Sequence, residues 1–331
     1  MSGLPFVQDL AIADDDVIQS FQLESSNLRG RIIRLGGVLD NILQPHAYPM
    51  HVAHMVGETI TLSGLLASML KYDGVFTLQA QGDGPVKMVV SDMTTQGILR
   101  GCANFDPDRV QHGIEQLAVM DDTESSQNHY AQLLGKGYLV FTVDQQNASD
   151  RYQGIVDLKG ASLVDCVQHY FNQSEQIGTG IKMAVGIRGG KWRAGAIMLQ
   201  HMPEDQKSVE AGQGNVREDD WRRAMILLGS CTDDELLDPD LHSNILLTRL
   251  FHEEGIRVYE PRYVEKGCRC SREKVESVIS MMPEDDLDYM SEEGTIKMKC
   301  EFCSREYAFD AKDIKKTAMQ KRHTIPQGET P

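Results

Sequence analysis

Two short stretches decide how this chain is organised: "EKGCRCSREK" at 265–274 and "MKCEFCSREY" at 298–307. The first sets Cys268 and Cys270 one residue apart, and the second sets Cys300 and Cys303 two apart. Four of the seven cysteines thus fall within 36 of 331 positions. A structural zinc site takes four ligands in a tetrahedron and accepts thiolates. "TIKMKCEFCSREYAF" alternates and predicts a hairpin whose turn is Cys300-Glu301-Phe302-Cys303, which puts two sulfurs on one side. Cys268 and Cys270 come from an extended stretch that turns into a helix capped by Ser271. The four cysteines predict one Zn2+ per chain in the reduced form.

The C-x-C pair is tighter than the C-x-x-C of ordinary zinc ribbons. A disulfide between such neighbours closes a small, strained ring, and strained disulfides are the labile ones. The same four sulfurs can therefore bind metal when reduced and form two disulfides when oxidised, and without thiolates the metal is lost. A zinc site stabilises its module by roughly 10–16 kcal/mol at neutral pH. That exceeds the ~5–15 kcal/mol stability of a typical domain, so oxidation should unfold the segment.

Charge divides the rest of the chain. Residues 1–203 carry 21 acidic and 14 basic groups, residues 204–265 carry 15 and 7, and residues 266–323 carry 12 of each. The middle stretch holds half of the net charge of -16. A chain this acidic, with no basic cluster, is not expected to bind nucleic acid. It has no run of 18 apolar residues, so no membrane span is expected. Its start has neither a basic n-region nor a long apolar h-region, which favours the cytoplasm, where thiols stay reduced.

The fold class predicted is α+β. A mixed core with mainly antiparallel strands (1–203) is followed by a helical linker (204–265), a small zinc-binding module (266–323) and a disordered tail (324–331). In the core, 50–70 read as a buried helix, and "VFTLQAQGDGPVKMVVSD" reads as two strands about a "GDGP" turn. Residues 137–145 and 152–158 are β-rich, 162–176 have helical spacing, and 181–202 return to strand, turn, strand. Pro203 ends the core, and 204–220 read as a loop. In the linker, Trp221, Ala224, Met225 and Leu228 share a helix face. Thr232 and Glu235 form a capping box. A second helix puts Leu241, Ile245, Leu250 and Phe251 on one stripe. Such short helices are marginal alone and need a neighbour to cover that stripe; Trp221, Met225, Leu228, Leu250 and Phe251 are the expected docking residues. In the module, Ser271 caps a helix with Val275, Val278, Ile279 and Met282 on one face, and Asp310 caps a closing helix.

These features together resemble the heat-shock protein 33 family of redox-regulated holdases. The resemblance rests on "YDGVFTLQAQGDGPVKMVVSDMTTQGILRG" (72–101), "YQGIVDL" (152–158), "QSEQI" (173–177), "LFHEE" (250–254) and above all the two cysteine pairs. It implies an ATP-independent chaperone for unfolded client proteins in the bacterial cytoplasm, dimeric when oxidised. It also implies zinc on Cys268, Cys270, Cys300 and Cys303, with oxidised pairs Cys268–Cys270 and Cys300–Cys303. Gly178 departs from the family's usual proline, and the expected consequence is a looser turn.

Other groups are read more plainly. Cys102, Cys166 and Cys231 are expected to be buried small hydrophobes. His51, His54 and Glu58 share a helix face, which suits a solvated or core-capping role better than a metal. "GDGP" lacks the Lys-Ser/Thr and helix of a phosphate cradle. His242 and His252 are expected at the surface. No catalytic constellation stands out, so the chain is read as a non-enzyme. The competing reading, a nucleic-acid or ribosome-associated protein with a permanent zinc module, needs a basic patch on 266–323, and that segment is neutral. A thiol oxidoreductase needs a βαβ setting for Cys300 and Cys303, and the setting here is a hairpin.

Overall fold

The computed structural model describes residues 15–118, 130, 132–145, 152–201 and 218–324. The chain begins with β1 (Val17–Leu23), β2 (Leu28–Leu35), α1 (Gly37–Leu43) and α2 (Met50–Ala67). Strands β3 (Gly74–Gly82), β4 (Val86–Thr94) and β5 (Ile98–Phe105) follow, then α3 (Pro107–Ala118). Next come β6 (Gly137–Gln145), β7 (Tyr152–Asp157), α4 (Leu163–Tyr170), β8 (Thr179–Arg188) and β9 (Lys191–His201). Two sheets result. One joins Ile256–Val258, β1, β2, β9 and β8 in that order, with Arg262–Tyr263 also on β1, and the other joins Glu265–Lys266, β5, β4, β3, β6 and β7.

Helix α2 lies between these sheets and is buried along most of its length, from Val52 to Ala67. Two glycines let the first sheet press onto it. A Cβ at Gly57 would stand 2.7 Å from Val185, and one at Gly64 2.5 Å from Ile33. The hydroxyls of Thr59 and Thr61 donate to the carbonyls of Met55 and Gly57, so burying them leaves no orphaned donor. Gly189 and Gly190 turn β8 into β9 with positive φ of 58° and 77°, as a tight two-residue hairpin requires.

The acidic middle stretch supplies α5 (Glu218–Gly229), α6 (Asp233–Leu237) and α7 (Ser243–Phe251). The first begins at Glu218, inside the stretch read as a loop, with Glu218, Asp219 and Asp220 on its positive N-terminal end. The remainder, 204–217, lies outside the described residues. The Thr232–Glu235 capping box is present in both directions. These helices cover the face of the first sheet opposite α2. That is why β2 and β9 are buried on both sides and read as nearly continuous apolar runs. Three short strands were not anticipated: β10 (Ile256–Val258), β11 (Arg262–Tyr263) and β12 (Glu265–Lys266). The first two pair antiparallel with β1, and β12 runs parallel to β5. Every other ladder among the described residues is antiparallel.

The residues fall into two compact units, divided between Gly267 and Cys268. The second contains α8 (Arg272–Ile279), α9 (Glu284–Met290), β13 (Ser291–Glu292), β14 (Thr295–Lys299), β15 (Glu306–Asp310) and α10 (Ala311–Thr324). Its own core includes Ile279, Leu287, Ile296, Phe309 and Ile314. Ser271 caps α8, and Asp310 accepts from the main chain of Lys312 and Asp313, as the sequence predicts. Val278, however, is exposed, because α8 is short and buries only Ile279 fully. The tail from residue 325 onward lies outside the described residues.

Candidate metal centre

The β14–β15 hairpin ends in the turn that carries Cys300 and Cys303. It is closed by main-chain bonds from Cys300 to Arg305 and from Ser304 back to Cys300. Ser304 takes a positive φ of 58°, which bends the chain so that both thiols face the same way. The loop before α8 brings Cys268 and Cys270 to that point. The sulfurs of Cys268 and Cys300 are 3.7 Å apart, those of Cys270 and Cys303 3.5 Å, and all four lie within 4.8 Å of one another. A tetrahedral ion with bonds of about 2.3 Å to sulfur separates its ligands by about 3.8 Å. The donor set and spacing therefore fit one metal ion. None of the seven cysteines is in a disulfide, and the close sulfur distances far exceed the roughly 2.05 Å of one.

The surroundings favour a thiolate at one position. Burial pushes the thiol of Cys270 up, but the Tyr307 hydroxyl, donating at 3.2 Å, and the neighbouring thiols more than offset this and hold it near about 7. Burial dominates at Cys303, which is pushed up to about 12, and also raises Cys300. A bound cation would favour the thiolate at all four positions. Tyr307 stacks on Phe309, and the Arg272 guanidinium lies over the Phe309 ring, 4.4 Å from its centre. The sequence reading missed Tyr307, although it lies four residues after Cys303 on the strand leaving the turn.

The expected docking residues fall in the first unit. Trp221, Met225, Leu228, Leu250 and Phe251 all join one cluster with Phe21, Leu23, Leu28, Ile32, Ile197 and Leu199 of the first sheet. Phe251 is fully buried and stacks on Phe21 at 6.0 Å, whereas Trp221 is half-buried. Met225 occupies space that a side chain at Gly180 would fill, since a Cβ there would come 2.3 Å from its sulfur. Two expectations fail here. Ile245 points to solvent, because the buried face of α7 is Leu246, Leu247, Leu250 and Phe251. His242 is buried, not superficial, because its Nδ1 caps α7 by accepting from Asn244. Gly178 acquires a packing role. A Cβ there would stand 2.6 Å from the ring of His201, and that ring packs on Trp221 with centroids 4.4 Å apart.

Two arginines escaped the sequence reading. Arg34 donates to the main-chain carbonyls of Glu235, Asp238 and Leu241, and Arg193 donates to that of Leu237. The signal was available in β2, where Leu28, Ile32 and Arg34 fall on one alternating face. Of the remaining candidates, Cys102, Cys166 and Cys231 are buried as expected. His51, His54 and Glu58 line a cavity of about 630 Å3. Their donor atoms do not converge, and the four cysteines are the group among the described residues that does.

A family model described as "Hsp33 protein" matches residues 16–310. A 33 kDa chaperonin of Caulobacter vibrioides is 38% identical over 301 residues, covering 89% of this chain and 95% of the relative. One from Escherichia coli strain K12 / DH10B is 34% identical over 300 residues, covering 90% and 94%. The crystal structure of the 33 kDa chaperonin of Thermotoga maritima superposes with a TM-score of 0.73 at 20% identity. It covers 93% of this chain and 99% of that one, a likeness of fold.

Proposed function

The chain belongs to the heat-shock protein 33 family, and from that membership we propose that it is a redox-regulated, ATP-independent chaperone that holds unfolding proteins. The observation that carries the reading is the gathering of Cys268, Cys270, Cys300 and Cys303 around one point. In the reduced form these four thiolates hold Zn2+, which ties the loop before α8 to the hairpin turn and supplies no redox chemistry of its own. Hydrogen peroxide or another two-electron oxidant converts the thiols to Cys268–Cys270 and Cys300–Cys303 disulfides. Each pair of thiolates gives up two electrons to one peroxide, which takes two protons from solvent, so two peroxides become four waters. With its donors gone, the module loses most of its stabilisation. Helices α5 to α7 then lift from the first sheet, and the apolar face of Phe21, Leu28, Ile32, Ile197 and Leu199 becomes available to clients.

The proposed division of labour is a client-binding and dimerising core (1–203), a metastable linker (204–265) and a redox module (266–323), acting in the cytoplasm and dimeric when oxidised. The neutral charge of 266–323 supports a role without nucleic acid. The test follows zinc release against free thiols during peroxide treatment, beside light scattering of a thermally unfolding enzyme. One zinc should leave as four thiols disappear, and only the oxidised protein should suppress scattering. Cys270→Ser should bind zinc poorly, while Cys102→Ser, Cys166→Ser and Cys231→Ser should keep it. Equal suppression by reduced and oxidised protein would sink the proposal.

A further inference from the structure

Arg34 is 1% exposed and Arg193 8%, yet both point into the apolar face that α5 to α7 cover. They come from neighbouring strands. In the β2–β9 ladder Arg34 stands opposite Gly195, and Arg193 lies two residues away on the same face. What they bind is main chain. Arg34 reaches the carbonyl of Leu241 at 2.9 Å, that of Glu235 at 3.5 Å and that of Asp238. Arg193 reaches the carbonyl of Leu237 at 3.0 Å through Nε, while its other nitrogens hold Asp15.

The segment so held is the last turn of α6 and the turn and bend that follow it at 238–241, where the carbonyls have no partner within the helix. Gly195 lets it lie flat, since a Cβ there would stand 2.4 Å from the Leu236 carbonyl oxygen. Leu236 and Leu237 are buried. The fork of Arg34 and the Nε of Arg193 therefore read four carbonyls, which any sequence offers, and the apolar face takes leucine side chains.

Resting on the reading that this segment is displaced on oxidation, we infer that Arg34 and Arg193 then form a recognition site for the main-chain carbonyls that an unfolded polypeptide leaves unpaired. Residues 235–241 occupy in the closed form the place a client takes in the open one. A folded protein has its carbonyls paired in helices and sheets, and an unfolded one does not. Carbonyl recognition thus separates unfolded from folded chains without reading sequence, and the charge of a guanidinium strengthens each bond it makes.

The test uses full-length, oxidised, metal-free protein and a fluorescein-labelled, unstructured, leucine-containing peptide, with Kd from anisotropy. Segment-resolved hydrogen exchange verifies that residues 218–251 are equally open in each variant. Arg34→Met should bind about 10-fold more weakly than wild type, the effect of losing hydrogen bonds to a charged donor. Arg34→Lys, which keeps the charge but loses the fork, should fall between them and serves if Arg34→Met does not fold. A peptide with thioamides, which accept hydrogen bonds poorly, should lose affinity for wild type and much less for Arg34→Met. In the reduced protein the same substitution should ease release of the linker, an effect opposite in sign. Equal Kd for all oxidised forms would overturn the inference and leave the holdase reading intact. Failure of oxidised wild type to bind the peptide would overturn both.

Discussion

Glu58 is a carboxyl group on a helix that sits between two sheets, and burial pushes its pKa up to about 8. One oxygen lies 3.6 Å from Nδ1 of His54, and the other is buried without a hydrogen-bond partner. A group like this is held neutral when folded, whereas in the unfolded chain it ionises near its ordinary value of 4.5. Below 4.5 both states are protonated and its contribution to stability is whole. As pH rises from there towards about 8, the unfolded chain releases a proton that the folded chain retains, so stability falls. Glu58→Gln keeps the shape without the titration. Thermal unfolding of the reduced protein at pH 5, 6.5 and 8 should give a Tm that drops with pH in wild type and drops less in the variant. Parallel curves would mean that Glu58 is ionised in the fold. The sequence placed Glu58 on a helix face with His51 and His54 and favoured a solvated or core-capping role over a metal, but it had no means of telling a neutral, buried carboxyl from an ionised, solvated one. That distinction depends on burial by the sheets, which spacing along one helix does not report.

Among the helices of 218–251, the residue that is fully enclosed should matter more than the largest one. Trp221 is the conspicuous docking residue in the sequence, but α5 begins only three residues before it and leaves it half-buried against His201. Phe251 ends α7 and is fully enclosed on Phe21. Truncating a fully buried Phe costs about 3–5 kcal/mol. Phe251→Ala should therefore free the linker in the reduced protein more than Trp221→Ala does. Holdase activity without oxidant, read by light scattering, orders the two. Stronger activity in reduced Trp221→Ala would show that α5, not α7, is the seal. The helices themselves were legible because capping and periodicity are local. Thr232 with Glu235 and the Trp221–Leu228 stripe needed no tertiary information. The strands at 256–266 were not, because each has two or three residues and exists only by pairing with β1 or β5. The four cysteines were legible for the opposite reason, since a tetrahedral ligand set leaves its spacing in the sequence.

Across the whole molecule, the apolar cluster beneath the linker and the one around α2 are divided by the first sheet. Removing α5 to α7 should open the former and leave the latter closed. The chain also sets the order in which this happens. Gly267 donates its main-chain N–H to Leu99 on β5 at 3.1 Å, and the next residue is Cys268. Upstream, β12 holds two residues to β5, β11 two to β1 and β10 three to β1. Beyond them Glu254 anchors the end of α7 through Ser25 at 2.6 Å and through Arg223 of α5. Short ladders of this kind open at little cost, so loss of order in the four-cysteine unit should travel towards the N-terminus through 265–267, then 256–263, then 218–251. Hydrogen exchange pulsed at intervals after peroxide addition and warming can resolve that order. Protection in β3 and β6 should persist throughout, because their ladders belong to the α2 side. Loss of 218–251 while 256–267 stay protected would rule out transmission along the chain.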